Sequence, residues 1–98
     1  MKREIFNEVI KKVEETTGVN RDNMMKCTSE ECTDARYILI MALCKLGMSD
    51  TEIGKFIGRT RQAVNYLKNS YKKVNKWTIA NDWQAVSKWV SNEYLTSK

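Results

Sequence analysis

A chain of 98 residues can bury one core and is too short for two domains. Hydrophobic residues make up 42% of it, yet no apolar run approaches the roughly 18 residues of a membrane span. With 17 Lys and Arg against 12 Asp and Glu the net charge is +5, and there is no histidine and no proline. The missing proline suits helices joined by short turns.

The opening stretch, Met1-Lys2-Arg3-Glu4-Ile5-Phe6, is amphipathic from the start and has no signal-peptide h-region, so a cytoplasmic chain is expected. Ile5, Phe6, Val9, Ile10 and Val13 then recur at helical spacing, predicting a first helix that closes near Gly18. Residues 19–25 read as a short second helix, capped by Asn20, with Met24 and Met25 turned inward. Thr28-Ser29-Glu30-Glu31 has the form of a capping box and opens a third helix. Its apolar segment, residues 37–44, predicts a central helix covered on most sides and ending before Gly47. Ser49-Asp50-Thr51-Glu52 is a second capping box, heading a short helix through Ile53, Phe56 and Ile57 that Gly58 breaks. Thr60 caps a longer helix with an inner stripe of Val64, Leu67, Tyr71 and Val74. A last helix is predicted to begin near Asn81, with Trp83, Val86, Val90 and Tyr94 on one face. The sum is an all-α domain of about six helices.

Three thiols without a fourth ligand close no tetrahedral zinc site, and an odd number of cysteines in a reducing compartment makes no disulfide framework. Cys44 is read as core, and Cys27 and Cys32 as incidental. No metal, cofactor or small-molecule ligand is expected.

All the surplus charge lies in one stretch. Residues 49–76 hold Lys55, Arg59, Arg61, Lys68, Lys72, Lys73 and Lys76 against Asp50 and Glu52, for +5, while the remainder holds ten bases and ten acids. That stretch reads as a helix-turn-helix: Gly54 is the small residue where the helices cross, Gly58 the turn, and Ile53, Ile57, Val64 and Leu67 the anchors. The usual apolar residue after the turn is replaced by Arg59. If the inner stripe faces the core, Arg61, Gln62, Asn65, Tyr66 and Asn69 face outward. Arginine can pair bidentately with guanine, and Asn or Gln with adenine, in a major groove. Lys68, Lys72, Lys73 and Lys76 follow as phosphate contacts, and the helix start at Thr60 could receive a phosphate on its free amides. Arg59, Thr60, Arg61, Gln62, Asn65, Tyr66, Lys68, Asn69, Lys72 and Lys73 are the candidate DNA-binding residues.

Residues 5–74 resemble the C-terminal DNA-binding domain of the bacterial chromosomal replication initiator DnaA, of the Trp-repressor-like helical class. The resemblance rests on the opening amphipathic helix, Gly18-Val19-Asn20 entering a short helix with Met24-Met25, and Ala35-Arg36 heading a long apolar helix. It continues through Leu46, Ser49, Glu52-Ile53-Gly54-Lys55-Phe56-Ile57-Gly58, Arg59 and Val64. The family's Asp-His-Thr-Thr-Val signature is replaced by Thr60-Arg61-Gln62-Ala63-Val64, and its basic loop by Lys26-Cys27-Thr28-Ser29-Glu30-Glu31. The turn also reads one residue shorter. No phosphate-binding Gly-rich loop marks an ATPase module. The resemblance therefore implies a stand-alone DNA-binding relative, such as a transcriptional or mobile-element regulator, and not an initiator.

The chain divides into a DNA-binding part, residues 1–76, and a C-terminal helical part, residues 77–98, with Trp77, Trp83 and Trp89. That tail either folds back on the domain or forms a homodimer contact suited to a two-fold operator. Double-stranded DNA is the expected partner, with no membrane. The alternative is a protein-interaction adaptor that uses the helix-turn-helix only as scaffold. An enzyme is not expected, because no nucleophile–base pair or acid cluster is visible.

Overall fold

The computed structural model describes residues 2–71 and 77–95, and these contain only helices and turns. The order is α1 (Lys2–Thr17), α2 (Arg21–Lys26), α3 (Glu30–Lys45), α4 (Asp50–Ile57), α5 (Arg61–Tyr71) and α6 (Trp77–Val90), ending in a π-helical turn (Ser91–Leu95). No helix among the described residues is long and apolar enough to cross a membrane.

The apolar run that made α3 the central helix has that place. Ala35 to Ile40, with Ala42 and Leu43, are buried, and α1, α2, α4, α5 and α6 all pack against this helix. Phe6, Val9, Ile10 and Val13 bring the inner stripe of α1 onto it. Arg36, 5% exposed, is the one buried charged residue among those described. Its Nε donates to the Met24 carbonyl at 2.8 Å and its Nη2 to the Cys27 carbonyl at 2.7 Å. A buried guanidinium is tolerable only when its protons are taken up in this way. In return it ties down α2, which at six residues could not hold its shape alone.

The caps show where sequence and structure part. Asn20 caps α2 through the Asn23 amide, and Ser49 with Glu52 forms the full reciprocal box at the head of α4. Helix α3, however, is capped by Ser29 and not by Thr28: the Ser29 hydroxyl accepts from the Cys32 amide, so no box with Glu31 forms. Serine is the better cap of the two, and a shift of one residue costs little.

The last helix starts at Trp77, four residues before the predicted Asn81. The earlier start places Ile79, 8% exposed, on the same inner stripe as Trp83, Val86 and Val90. Burying an isoleucine is worth about 1.5–3 kcal/mol, more than the roughly 1 kcal/mol of an N-cap. Helix α6 packs on α1 and α3 of the same chain. Tyr94 follows on the π turn and donates its hydroxyl to Glu8 of α1; burial, and then that carboxylate, raise its pKa.

Of the cysteines, Cys44 is partly buried and packs against the core as expected, Cys27 is partly buried, and Cys32, read as incidental, is buried. Cys32 lies three residues before Ala35 and shares its inward face, a position that residue type alone does not reveal.

Between α4 and α5 the chain turns within three residues. Gly58 takes the left-handed conformation, φ 72°, that caps α4, and the Arg59 amide donates to the Gly54 carbonyl at 2.9 Å. Gly54 is needed where α4 meets the backbone that enters α5: a Cβ there would overlap the Arg59 carbonyl oxygen. Alanine normally gains about 1 kcal/mol over glycine inside a helix. Gly54→Ala should instead lose about 1–3 kcal/mol in urea unfolding, since the obstacle is backbone. A variant as stable as the parent would contradict the close approach.

Candidate nucleic-acid interface

Helix α5 is set in place from three sides. Val64, 1% exposed, and the partly buried Leu67 seat it on the core. At its start, Thr60 Oγ1 accepts from the Ala63 amide at 3.1 Å, and Arg59 Nη2 reaches back to the Met25 carbonyl of α2 at 2.8 Å. At its flank, Asp50 in the first turn of α4 takes hydrogen bonds from Lys68 Nζ at 2.8 Å and Asn65 Nδ2 at 3.2 Å. Asn69 Nδ2 in turn donates to Asn65 Oδ1 at 3.0 Å.

These bonds divide the candidate residues. Arg61 and Gln62 are exposed and make no hydrogen bond among the described residues, and Tyr66, 74% exposed, also points outward. Asn69 is exposed, with its amide nitrogen used and its oxygen open to a donor. Asn65 is exposed but has both ends of its amide engaged. Thr60 is committed to the cap and Arg59 to α2. Lys68 is drawn down into the ion pair, with only 22% of its side chain exposed against 19% for Asp50. The Tyr71 side chain, and Lys72, Lys73, Val74 and Lys76, lie outside the described residues.

Two contributors lie outside the residues that the sequence marks. Lys55 on α4 is exposed, and the sequence places it in the basic stretch but not in the site. Asp50, part of a cap by sequence, also fixes Asn65 and Lys68. The available signal was the three-residue spacing of those two, which puts them on one side of α5.

Charge is segregated as well. No acid lies on α5, and Asp50, the acid that faces it, is neutralised by Lys68. A cleft of about 630 Å³ between the first turns of α3 and the start of α6 is lined instead by Glu30, Glu31, Asp34 and Asp82, with Trp77 at its edge. Four acids on one cleft disfavour a polyanion there.

No protein-family model matches the chain, and no curated protein or solved structure matches it either.

The ion pair is testable. The hydrogen bond from Lys68, and then that from Asn65, hold the Asp50 carboxyl below its ordinary value of 3.8, and the bond to Asp50 raises Lys68. A lowered acid adds stability above its unfolded pKa and loses it as pH falls through the folded one; the raised lysine adds stability below its own unfolded value. Asp50→Asn should therefore cost on the order of 1 kcal/mol at neutral pH in chemical unfolding. The gap between parent and variant should close as pH falls below about 4. A gap that persists unchanged into acid would assign the loss to something other than the carboxylate charge.

Proposed function

We propose that the chain binds double-stranded DNA with sequence specificity through the α4–turn–α5 unit, with α5 in the major groove. The reading makes it a stand-alone relative of the DnaA C-terminal domain, acting as a transcriptional or mobile-element regulator. The observation that supports it is the outer face of α5, where Arg61, Gln62, Tyr66 and Asn69 stand exposed on a helix without acids. Arginine and the carboxamides carry the donors and acceptors that distinguish guanine from adenine, and the Tyr66 ring can cover a thymine methyl or a sugar. Lys55, on the neighbouring helix, is suited to a phosphate and sets position without reading sequence.

The internal bonds refine the roles. Lys68 and Asn65 act through Asp50 to hold α5 at a fixed rotation, so Arg61 and Gln62 carry the base reading. Preorganisation of this kind spares the ordering cost on binding.

Site selection from random duplexes, followed by affinity measurement at several salt concentrations, tests the reading. The expected log affinity falls with log salt at a slope of about −3 or steeper, since each neutralised phosphate releases about 0.9 counterion. Arg61→Ala should lose about 1–3 kcal/mol on the selected site and relax preference at one base position. Lys55→Ala should weaken all duplexes alike and reduce the slope by about 1. Identical behaviour of the two variants would overturn the roles. Absence of salt-dependent affinity would leave α4 and α5 as the scaffold of a protein-interaction adaptor.

A further inference from the structure

The junction between α2 and α3 holds a pair of thiols that the DNA reading does not use. Cys27 is the last residue before the loop and Cys32 lies in the first turn of α3, five residues on. Ser29 stands between them. Its hydroxyl is 3.3 Å from Cys27 Sγ and accepts from the Cys32 amide at 3.4 Å, while its own amide donates to Cys27 Sγ at 3.5 Å. Cys27 is partly exposed and Cys32 is 6% exposed, so the two residues on either side of Ser29 differ in their access to solvent.

We infer that Cys27 is an oxidant-sensitive modification site, with hydrogen peroxide as its reactant and Cys32 as the resolving thiol. The chemistry closes in two steps. The Cys27 thiolate attacks one peroxide oxygen, the O–O bond breaks, and hydroxide leaves with Cys27 as a sulfenic acid. That hydroxide takes the Cys32 proton and becomes water. The Cys32 thiolate then attacks the Cys27 sulfur, the S–S bond forms, the S–O bond breaks, and the departing hydroxide takes up a proton from solvent to become a second water. Two thiols are oxidised and one peroxide is reduced.

The surroundings favour each sulfur for its part. The Ser29 hydroxyl, then its amide, and then the Cys32 thiol hold Cys27 down at about 7, so much of it is thiolate at neutral pH. At Cys32 the Ser29 hydroxyl pulls downward, but the bond to Cys27, burial and the Cys27 charge together outweigh it, and its thiol is raised. Cys32 therefore keeps its proton until Cys27 has reacted. Cys44 cannot take its place: it lies twelve residues along the same helix, about 18 Å from Cys32. The Cys27 and Met24 carbonyls are the acceptors for Arg36, so the bond would form across the loop that seats that side chain.

The test uses the reduced full chain and hydrogen peroxide, read by intact mass and by proteolysis after glutamate and basic residues. Glu30 and Glu31 separate the two thiols, and Arg36 separates Cys32 from Cys44. The expected product has lost two hydrogens, with the Cys27 and Cys32 peptides joined and Cys44 still open to alkylation. In Cys32→Ser, Cys27 should stop as a sulfenic acid that dimedone traps. In Cys27→Ser, an exchange at a partly exposed position that spares the core, Cys32 should stay reduced. A Cys27 that reacts no faster than Cys44, or that joins a second molecule in place of Cys32, overturns the assignment. Every readout is chemical, so the result does not depend on DNA binding.

Discussion

The fold depends on burying α3 on most sides, and the Arg36 guanidinium is the point at which that burial could have failed. A charge at 5% exposure is costly unless its protons are met, and they are met by the carbonyl end of a helix only six residues long. The dependence runs both ways. Without Arg36, α2 loses the side chain that takes up its Met24 and Cys27 carbonyls; without α2, Arg36 has lost two acceptors. Breaking such an arrangement from either side leaves a buried polar group unpaired, which is worse than never having built it.

From that junction the order passes to the surface. The Met25 carbonyl, one residue along from the Arg36 acceptor, takes Arg59, and Arg59 sits in the turn that delivers α5. This bond is exposed and worth only about 1 kcal/mol, but it adds to the Val64 contact below and the Asp50 grip at the side. Three modest constraints at three places on one helix fix its rotation better than a single strong one. These restraints leave Arg61, Gln62 and Tyr66 exposed, and Arg59, which stands where an apolar residue is expected, is one of the restraints.

Much of this was legible in the sequence. The α1 stripe, the Asn20 cap, the Ser49–Glu52 box and the Gly58 turn each follow from local chemistry, and local chemistry decides them. The misplaced features were decided by tertiary contacts. Burial of Ile79 extends α6 past the cap-like Asn81, and the Cys32 position follows from its neighbours' inward phase. At the candidate interface the outward residues could be listed from helical spacing alone. The Asp50 network was only half legible: spacing puts Asn65 and Lys68 on one side of α5, but an acid in a capping box gives no hint that it faces them.

The most direct measurement of the central claim, that α5 offers a free and fixed outer face to a duplex, is an amide titration of the isotope-labelled chain with short double-stranded DNA at low salt. The account predicts shifts concentrated at Arg61, Gln62, Tyr66 and Asn69, with Lys55 beside them and the core amides of α3 unmoved. Shifts gathered instead around the acidic cleft at Glu30, Asp34 and Trp77, or none at all, would contradict it.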